Sequence, residues 1–345
     1  MVKALKRVRR TAEEIVEETK NPTTAIDKKP IGSVVSTGST LLDLAISGKV
    51  VRGGGVPGGI LVEIFGPSSS GKTAVLAETA ASVQAIGGDV EYKDPEGRLN
   101  KEYCRIYGAE ITDNYSRPDT VKEMFKEIWS WTPANPKAVN MIAADSLAAL
   151  STELEMGDED KMGMKRAKDF SEALRKTCRM IANNNWLIMC SNQERESPTG
   201  LVTPGGKAIP YYSSLRIRLT PSFKGGKIKK KIKQGNKEIE KVIGIYSIAE
   251  VKKSSIDDPF RTAPVYIIFK IGIDDIRGNL QWYKDMTGSS GYFQLGTDKG
   301  FKSITDAIIH IEENNMESDL RELVIDLWEE IESKFEIKRK EKVRF

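Results

Sequence analysis

An eight-residue run, Gly66-Pro-Ser-Ser-Ser-Gly-Lys-Thr73, constrains the fold of this chain more than any other stretch. Its glycines let the backbone curl so that successive amides face one point, which suits a phosphate chain. The flanks agree with that use. Ile60–Phe65 is a short apolar run of the buried-strand kind, and Ala74–Ile86 has the composition of a helix. Strand, loop and helix in succession place a helix N-terminus, with its dipole, against the phosphates. The pattern therefore assigns Gly66, Pro67, Ser68, Ser69, Ser70, Gly71, Lys72 and Thr73 to nucleotide binding. Lys72 is expected on the outer phosphates as a point charge and Thr73 on Mg²⁺, so ATP and Mg²⁺ are the expected cofactors.

Around this loop, apolar runs alternate with helix-period segments. Val90–Tyr92, Val139–Ala144 and Trp186–Cys190 read as strands, and Val121–Trp129 and Lys165–Asn183 as helices. Strands separated by helices imply an α/β fold with a mostly parallel, twisted sheet flanked by helices. After Ser213 the pattern turns antiparallel, with strands expected at Ser214–Leu219, Val242–Lys252 and Val265–Lys270. Ser222–Lys241 carries eight lysines against two glutamates around a Gly235-Asn236 turn. It reads either as a secondary DNA contact or as a solvated, solubilising hairpin. Helices are expected near Ile304–Glu313 and Ser318–Phe335, within a small C-terminal α/β domain that ends in the basic tail Lys338–Arg344. At the other end, Thr11–Thr19 has helical spacing with a threonine cap, Asn21-Pro22 ends it, and Lys28-Lys29-Pro30 reads as linker. The organisation expected is an N-terminal helical arm (1–33), a core (34–274) and a small C-terminal domain (275–345).

Composition removes several classes of chemistry. His310 is the only histidine, which excludes a multi-histidine metal site, and the three cysteines lack metal or redox spacing. They read as core residues in a reducing cytoplasm. The first ten residues hold five basic side chains and no signal-type apolar stretch, and no run of about 18 apolar residues could span a bilayer. A net charge of +4 decides nothing by itself. What remains is chemistry on carboxylates, lysine, amides and a metal ion. Two strand ends supply carboxylates: Val139–Asp145 is an apolar strand closing on an acid suited to Mg²⁺, and Asp94-Pro-Glu96 can orient or deprotonate a water. Each has a plain alternative, a helix-capping aspartate or a solvated turn glutamate. Together, at the carboxyl ends of strands in one sheet, they favour the functional reading.

At this point the sequence resembles the RecA recombinase family from about Ser36 onward. Ser36-Thr-Gly-Ser39 with Leu41-Leu-Asp43 resembles the family's entry segment, and Glu63-Ile-Phe-Gly-Pro67 its approach to the phosphate loop. Asp94-Pro-Glu-Gly-Arg-Leu-Asn-Lys-Glu-Tyr103 is similar to its catalytic-glutamate and adenine-binding stretch, and Asp145-Ser-Leu-Ala-Ala-Leu150 to its Walker B segment. The resemblance implies that Glu96 is the catalytic base, Tyr103 the ring stacked on adenine and Asn100 an adenine hydrogen-bond partner. Ser191-Asn-Gln193 resembles the nucleotide sensor, with Gln193 passing the presence of the γ-phosphate into the loop that follows. That loop, with Thr203-Pro-Gly-Gly-Lys-Ala208, resembles the second DNA-binding loop. Arg195 and Lys207 offer charge, Leu201 or Val202 a wedge, and Gly205-Gly206 amides that approach DNA phosphates. Gly157–Arg166 resembles the first DNA loop, implying DNA contact by Met162, Gly163 and Arg166. Plain surface loops are the alternative for both. Ala45–Gly54 is closer to phage counterparts of the UvsX type, which suggests a phage-encoded or divergent member.

The family pattern implies an ATP-dependent recombinase that forms helical filaments on single-stranded DNA and pairs it with homologous duplex DNA, as a DNA-dependent ATPase in the cytoplasm. Thr23–Ile26 then reads as a strand added to a neighbour with Ile26 as anchor, or as a plain linker. Three departures stand out. The second loop is short. Lys253 occupies the first of two positions at which the family's lysines reach a neighbour's ATP, but Ser255 occupies the second. The tail is basic rather than acidic. Two rival readings stay open: a hexameric RecA-fold DNA motor or helicase, and an ATP-binding recombination mediator without strand exchange.

Overall fold

The computed structural model describes residues 32–152, 164–197, 200–222, 226–292, 300–337 and 339. The N-terminal arm with residues 23–26, Met162 and Gly163 of the first loop, and nearly all of the basic tail lie outside the described residues. Chain order runs β1 (Val34–Val35), α1 (Thr40–Ser47), β2 (Val56–Pro57), β3 (Leu61–Gly66), α2 (Lys72–Ala85), β4 (Val90–Lys93), α3 (Lys101–Ile106), β5 (Tyr115–Ser116), α4 (Val121–Ser130), β6 (Asn140–Ala144), α5 (Met164–Asn184) and β7 (Trp186–Gln193). There follow β8 (Arg195–Ser197), β9 (Gly200–Val202), α6 (Ala208–Tyr212), β10 (Leu215–Pro221), β11 (Lys227–Gln234), β12 (Lys237–Ser254), β13 (Thr262–Ile268), β14 (Gly272–Ile273), α7 (Asp275–Thr287), α8 (Ile304–Glu313) and α9 (Glu317–Lys334).

Ten strands make one sheet in the order β14-β13-β12-β10-β3-β7-β6-β4-β5, with β11 paired to β12. From β10 to β5 every neighbour is parallel. From β10 outward through β12, β13 and β14 the pairing is antiparallel. The change of direction follows from connection length. A helix bridges each parallel pair, whereas a two-residue turn at Gly235-Asn236 joins β11 to β12.

Register decides where the site lies. Gly66 stands beside Gln193, Ala144 beside Cys190 and Lys93 beside Ala144. The loops leaving β3, β4, β6 and β7 therefore open at one edge of the sheet, the carboxyl end where α/β sheets bind ligands.

Both faces are covered. On one, α4 buries Val121, Met124, Phe125 and Ile128, a helical stripe that packs with Phe170 and Leu174 of α5. Thr120 caps α4 by accepting from Glu123 N, and Glu123 in turn accepts from Asp119 N. On the other face α1 and α2 pack with Val62 and Ile64 of the sheet.

The segment from residue 275 onward is where a small C-terminal α/β domain is expected. Among the described residues it is three helices and one antiparallel bridge, Tyr292 to Phe301. Leu280, Ala307, Ile311, Leu320, Val324 and Ile325 belong to the same core as Val62 and Ile64. Asp275 opens α7 by accepting from Thr40 N and Thr40 Oγ1, both at 2.7 Å, so α7 is fastened to the start of α1. The apolar stripes of these helices meet α1 rather than one another alone, and the described residues from 33 onward form one compact unit. No helix among the described residues is long and apolar enough to cross a membrane.

Candidate active site

The loop between β3 and α2 lines a cavity of about 370 Å³ together with Glu96, Tyr103, Asp145 and Gln193. Gly71 has φ 95°, a left-handed conformation that favours glycine, and it sits against the end of the Ile267 side chain. Lys72 is buried, and its Nζ donates to Gly66 O at 3.1 Å and Pro67 O at 2.7 Å. Burial pushes its pKa down, while the Asp145 carboxylate works the other way. The ammonium thus rests on carbonyls of the loop it is expected to share with phosphates.

Asp145, 2 % exposed, accepts from Thr73 Oγ1 at 2.7 Å and from Ser191 Oγ. Burial raises its pKa and the two hydroxyls oppose that rise. A carboxylate left raised after two hydrogen bonds favours a cation beside it. Among the described residues no group of three His, Cys, Asp or Glu side chains could hold a metal alone. A divalent ion here would rest on Thr73, Asp145 and substrate phosphates, a set that suits Mg²⁺. The buried Ser70 Oγ, which has no hydrogen-bond partner among the described residues, is a further polar atom in the cradle. The donor set fits.

Glu96 stands across the cavity. Its Oε1 accepts from Ser146 Oγ and Gln193 Nε2, both at 3.2 Å. Arg98 Nε approaches its Oε2 at 2.7 Å as a charge pair without hydrogen-bond alignment. The turn that presents Glu96 is held by Asp94, which accepts from Arg98 N, Leu99 N and the Tyr115 hydroxyl. Tyr103 lines the cavity beside Tyr107, whose hydroxyl donates to it at 3.0 Å, with the rings 4.9 Å apart. Asn100 does not line this cavity. Its side chain accepts from Tyr103 N at 2.7 Å as the N-cap of α3, which leaves its amide NH2 uncommitted to the cap.

The end of β7 joins this cavity to the second loop. Gln193 faces Glu96, while its neighbour Asn192 donates to Glu63 Oε1 at 2.9 Å and to Pro204 O at 3.1 Å. Glu63 is fully buried and meets Arg216 Nε at 2.6 Å. Arg218 clasps Glu194 through two nitrogens, at 2.7 and 3.0 Å. The second loop itself begins as a ribbon, with β8 and β9 pairing Arg195 with Val202 and Glu196 with Leu201. Arg195, Leu201, Val202, Gly206 and Lys207 are exposed. Gly205 is buried, with φ 93° and a would-be Cβ 2.4 Å from Ile209 Cδ1. Arg166 donates to Leu150 O at 3.1 Å, beside the segment that follows Asp145.

Lys253 does not line the cavity of its own chain. Its Nζ donates to Pro210 O and Tyr211 O, both at 2.9 Å, at the last turn of α6. Glu63, Asn192 and Arg216 lie far apart in the chain, so no local sequence pattern marks them as a group. Arg98 and Ser146 lie within the Asp94–Tyr103 and Asp145–Leu150 stretches, whose sequence carries no signal that their side chains reach Glu96.

Comparison with known proteins places the sequence in a family. A family model described as the RecA N-terminal domain matches residues 18–274. Protein RecA of Phytoplasma mali (strain AT) is 34 % identical over 251 residues, covering 70 % of this chain and 69 % of the relative. Protein RecA of Staphylococcus aureus (strain JH9) is 34 % identical over 252 residues, covering 70 % and 67 %. With a family model over most of the chain and relatives at 34 % identity, the chain belongs to the RecA family of recombinases.

Proposed function

We propose that this protein is a DNA-dependent ATPase that forms helical filaments on single-stranded DNA and promotes homologous pairing and strand exchange with duplex DNA, in the cytoplasm of a bacterial or phage-infected cell. One observation carries the reading: adjacent residues at the end of β7 touch the nucleotide cavity and the second loop. Gln193 holds Glu96 and Asn192 holds Pro204. A group bound in the cavity that draws Gln193 away from Glu96 moves the strand end on which the loop hangs.

In this reading the loop amides and Lys72 bind the phosphates of ATP, and Lys72 exchanges the carbonyls of Gly66 and Pro67 for phosphate oxygens. Mg²⁺, held by Thr73 and Asp145, supplies charge neutralisation at the outer phosphates. Glu96 orients the attacking water and takes its proton, and Ser146 and Arg98 position its carboxyl group. Tyr103 and Tyr107 form the apolar wall for the base. Arg195, Lys207 and Arg166 contribute positive charge to DNA, with Met162 and Gly163 on the first loop and Leu201 or Val202 as wedge on the second. Lys253 serves a neighbour's ATP across the filament contact. Exchange of one duplex for an identical one is nearly isoenergetic, so ATP binding need only stabilise the active geometry and hydrolysis resets it. A non-closing contact between subunits generates a helix rather than a ring.

Electron microscopy with ATP and single-stranded DNA tests the assignment, alongside ATP turnover with and without DNA. Helical filaments and stimulated turnover are expected. Closed rings would make the protein a motor, and neither assembly nor stimulation would make it a mediator.

A further inference from the structure

Two cationic side chains line the nucleotide cavity, Lys72 and Arg98, and they are held in different ways. Lys72 is buried and rests on two carbonyls of the phosphate loop. Arg98 enters from the side of Glu96 with its side chain 55 % exposed, and among the described residues its charge pair is with Glu96. Its backbone is anchored, since Arg98 N donates to Asp94 Oδ1 at 3.0 Å, so the guanidinium can move while the turn stays. The pair is also imperfect. Glu96 Oε2 is buried and receives no aligned hydrogen bond, although Arg98 Nε lies 2.7 Å away. The guanidinium covers this oxygen without bonding it.

In that arrangement neither oxygen of Glu96 is open to a water. Ser146 Oγ and Gln193 Nε2 donate to Oε1, and Arg98 covers Oε2. A phosphate in the cavity offers the guanidinium a better partner, because its oxygens accept two parallel N–H bonds where Glu96 accepts no aligned one. Burial pushes the Lys72 pKa down, and the charge of Arg98 acts in the same direction. Two cations that repel each other across a cavity favour an anion between them. In the proposed ATPase Glu96 belongs beside the terminal phosphate, where water attacks. The guanidinium next to it therefore suits that phosphate rather than the two nearer the sugar.

We infer that Arg98 is a ligand of the terminal phosphate of a nucleoside triphosphate, and that it leaves Glu96 to make that contact, uncovering Oε2 for the attacking water. The inference rests on the ATPase reading above and gives Arg98 a role beyond holding Glu96 in the arrangement described. A diphosphate lacks the group that draws Arg98 away, so with ADP the base stays covered. The site then distinguishes ATP from ADP by the same motion that readies Glu96. The cation comes from the chain that carries the phosphate loop, and this contact needs no neighbouring subunit.

Equilibrium binding of ADP and of a non-hydrolysable ATP analogue, each with Mg²⁺, tests this in the full-length protein and in R98Q, E96Q and the double variant. R98Q should weaken the analogue by about 10-fold or more, the scale of a lost charge-assisted hydrogen bond, and ADP by less than about 2-fold. Retained ADP binding also shows that R98Q is folded. E96Q releases Arg98 and should tighten the analogue by roughly 3-fold or more, and that gain should vanish in R98Q/E96Q. Simple relief of repulsion between Glu96 and phosphate would instead tighten binding in both backgrounds. Equal losses of ADP and analogue in R98Q, a loss of neither, or an E96Q gain that is absent or survives R98Q would each overturn the inference. ATP turnover of the unaltered protein with single-stranded DNA separates the two claims. If turnover is absent the ATPase reading fails, and if it is present while R98Q binds both nucleotides as the unaltered protein does, only the Arg98 assignment fails.

Discussion

The carboxyl end of β7 and the tip of the β11–β12 hairpin are both polar and belong to one sheet, yet they work by opposite physics. At β7 the polar groups are buried and few, and each has an assigned partner: Asn192 with Glu63 and Pro204, Gln193 with Glu96, Ser191 with Asp145. At the hairpin tip the charges are many and exposed, so each is screened by water and salt. Removing one group from the first region leaves a partner unsatisfied in a low-dielectric setting. Removing one from the second leaves little behind, and only the sum over a face matters. A single substitution is therefore the right probe at β7, and a set of substitutions is the right probe at the hairpin.

The largest effect is expected where the buried network meets the nucleotide. Lys72→Ala removes the only ammonium in the cavity described and should abolish DNA-stimulated ATP turnover. A DNA-dependent ATPase that survived it would break the comparison at its strongest point. Next comes Arg216→Ala, which leaves the fully buried Glu63 with Asn192 as its remaining side-chain donor. Breaking a buried pair by removing one partner should cost about 3 kcal/mol, read as a lower midpoint in urea unfolding. A cost below about 1 kcal/mol would place this pair with the surface ones.

The contrast extends to pH. Burial pushes the Asp43 carboxyl up to about 7, against hydrogen bonds from Ser36 and Thr37, and burial likewise pushes Glu78 up to about 7. For a group whose folded pKa is raised, the folded state binds more protons than the unfolded one. Its contribution to stability is then present below the ordinary carboxylate range and lost as pH rises toward 7. The melting temperature should fall between pH 5 and 8, and Glu78→Gln should flatten that fall by removing one of the two groups. A melting temperature that rises over this range would contradict the burial argument. The smallest effect belongs to the hairpin: Lys231→Ala, which removes one exposed ion pair, should shift stability by less than about 1 kcal/mol.

Much of this was legible in the sequence where the signal is local. The phosphate loop announces itself because eight consecutive residues and their flanks must serve one geometry. Asp145 and Glu96 were legible as acids closing apolar strands, since register then carries them to one edge. Asn100 shows the limit of local reading. An asparagine before a short helix can meet a ligand, cap the helix or do both, and the bond from Tyr103 N shows the cap. Gly205 shows it again, because its left-handed backbone, with φ 93°, and its place beside Ile209 are not visible in the sequence. The Glu63, Asn192 and Arg216 triad was not legible, because its members are 129 and 153 residues apart and meet only once β3, β7 and β10 are neighbours. Nor could the sequence say which hairpin lysines meet Glu238 and Glu240, since a one-residue change of register would exchange the two faces of the hairpin.

The central claim is that β7 transmits nucleotide occupancy to the DNA-facing loop. The direct test measures affinity for single-stranded DNA with and without a non-hydrolysable ATP analogue, in the unaltered protein and in Gln193→Ala. The unaltered protein should bind DNA more tightly when the analogue is present. Gln193→Ala should still bind the analogue yet show no such tightening. If its DNA affinity rises with the analogue as much as that of the unaltered protein, nucleotide and DNA are not coupled through the end of β7.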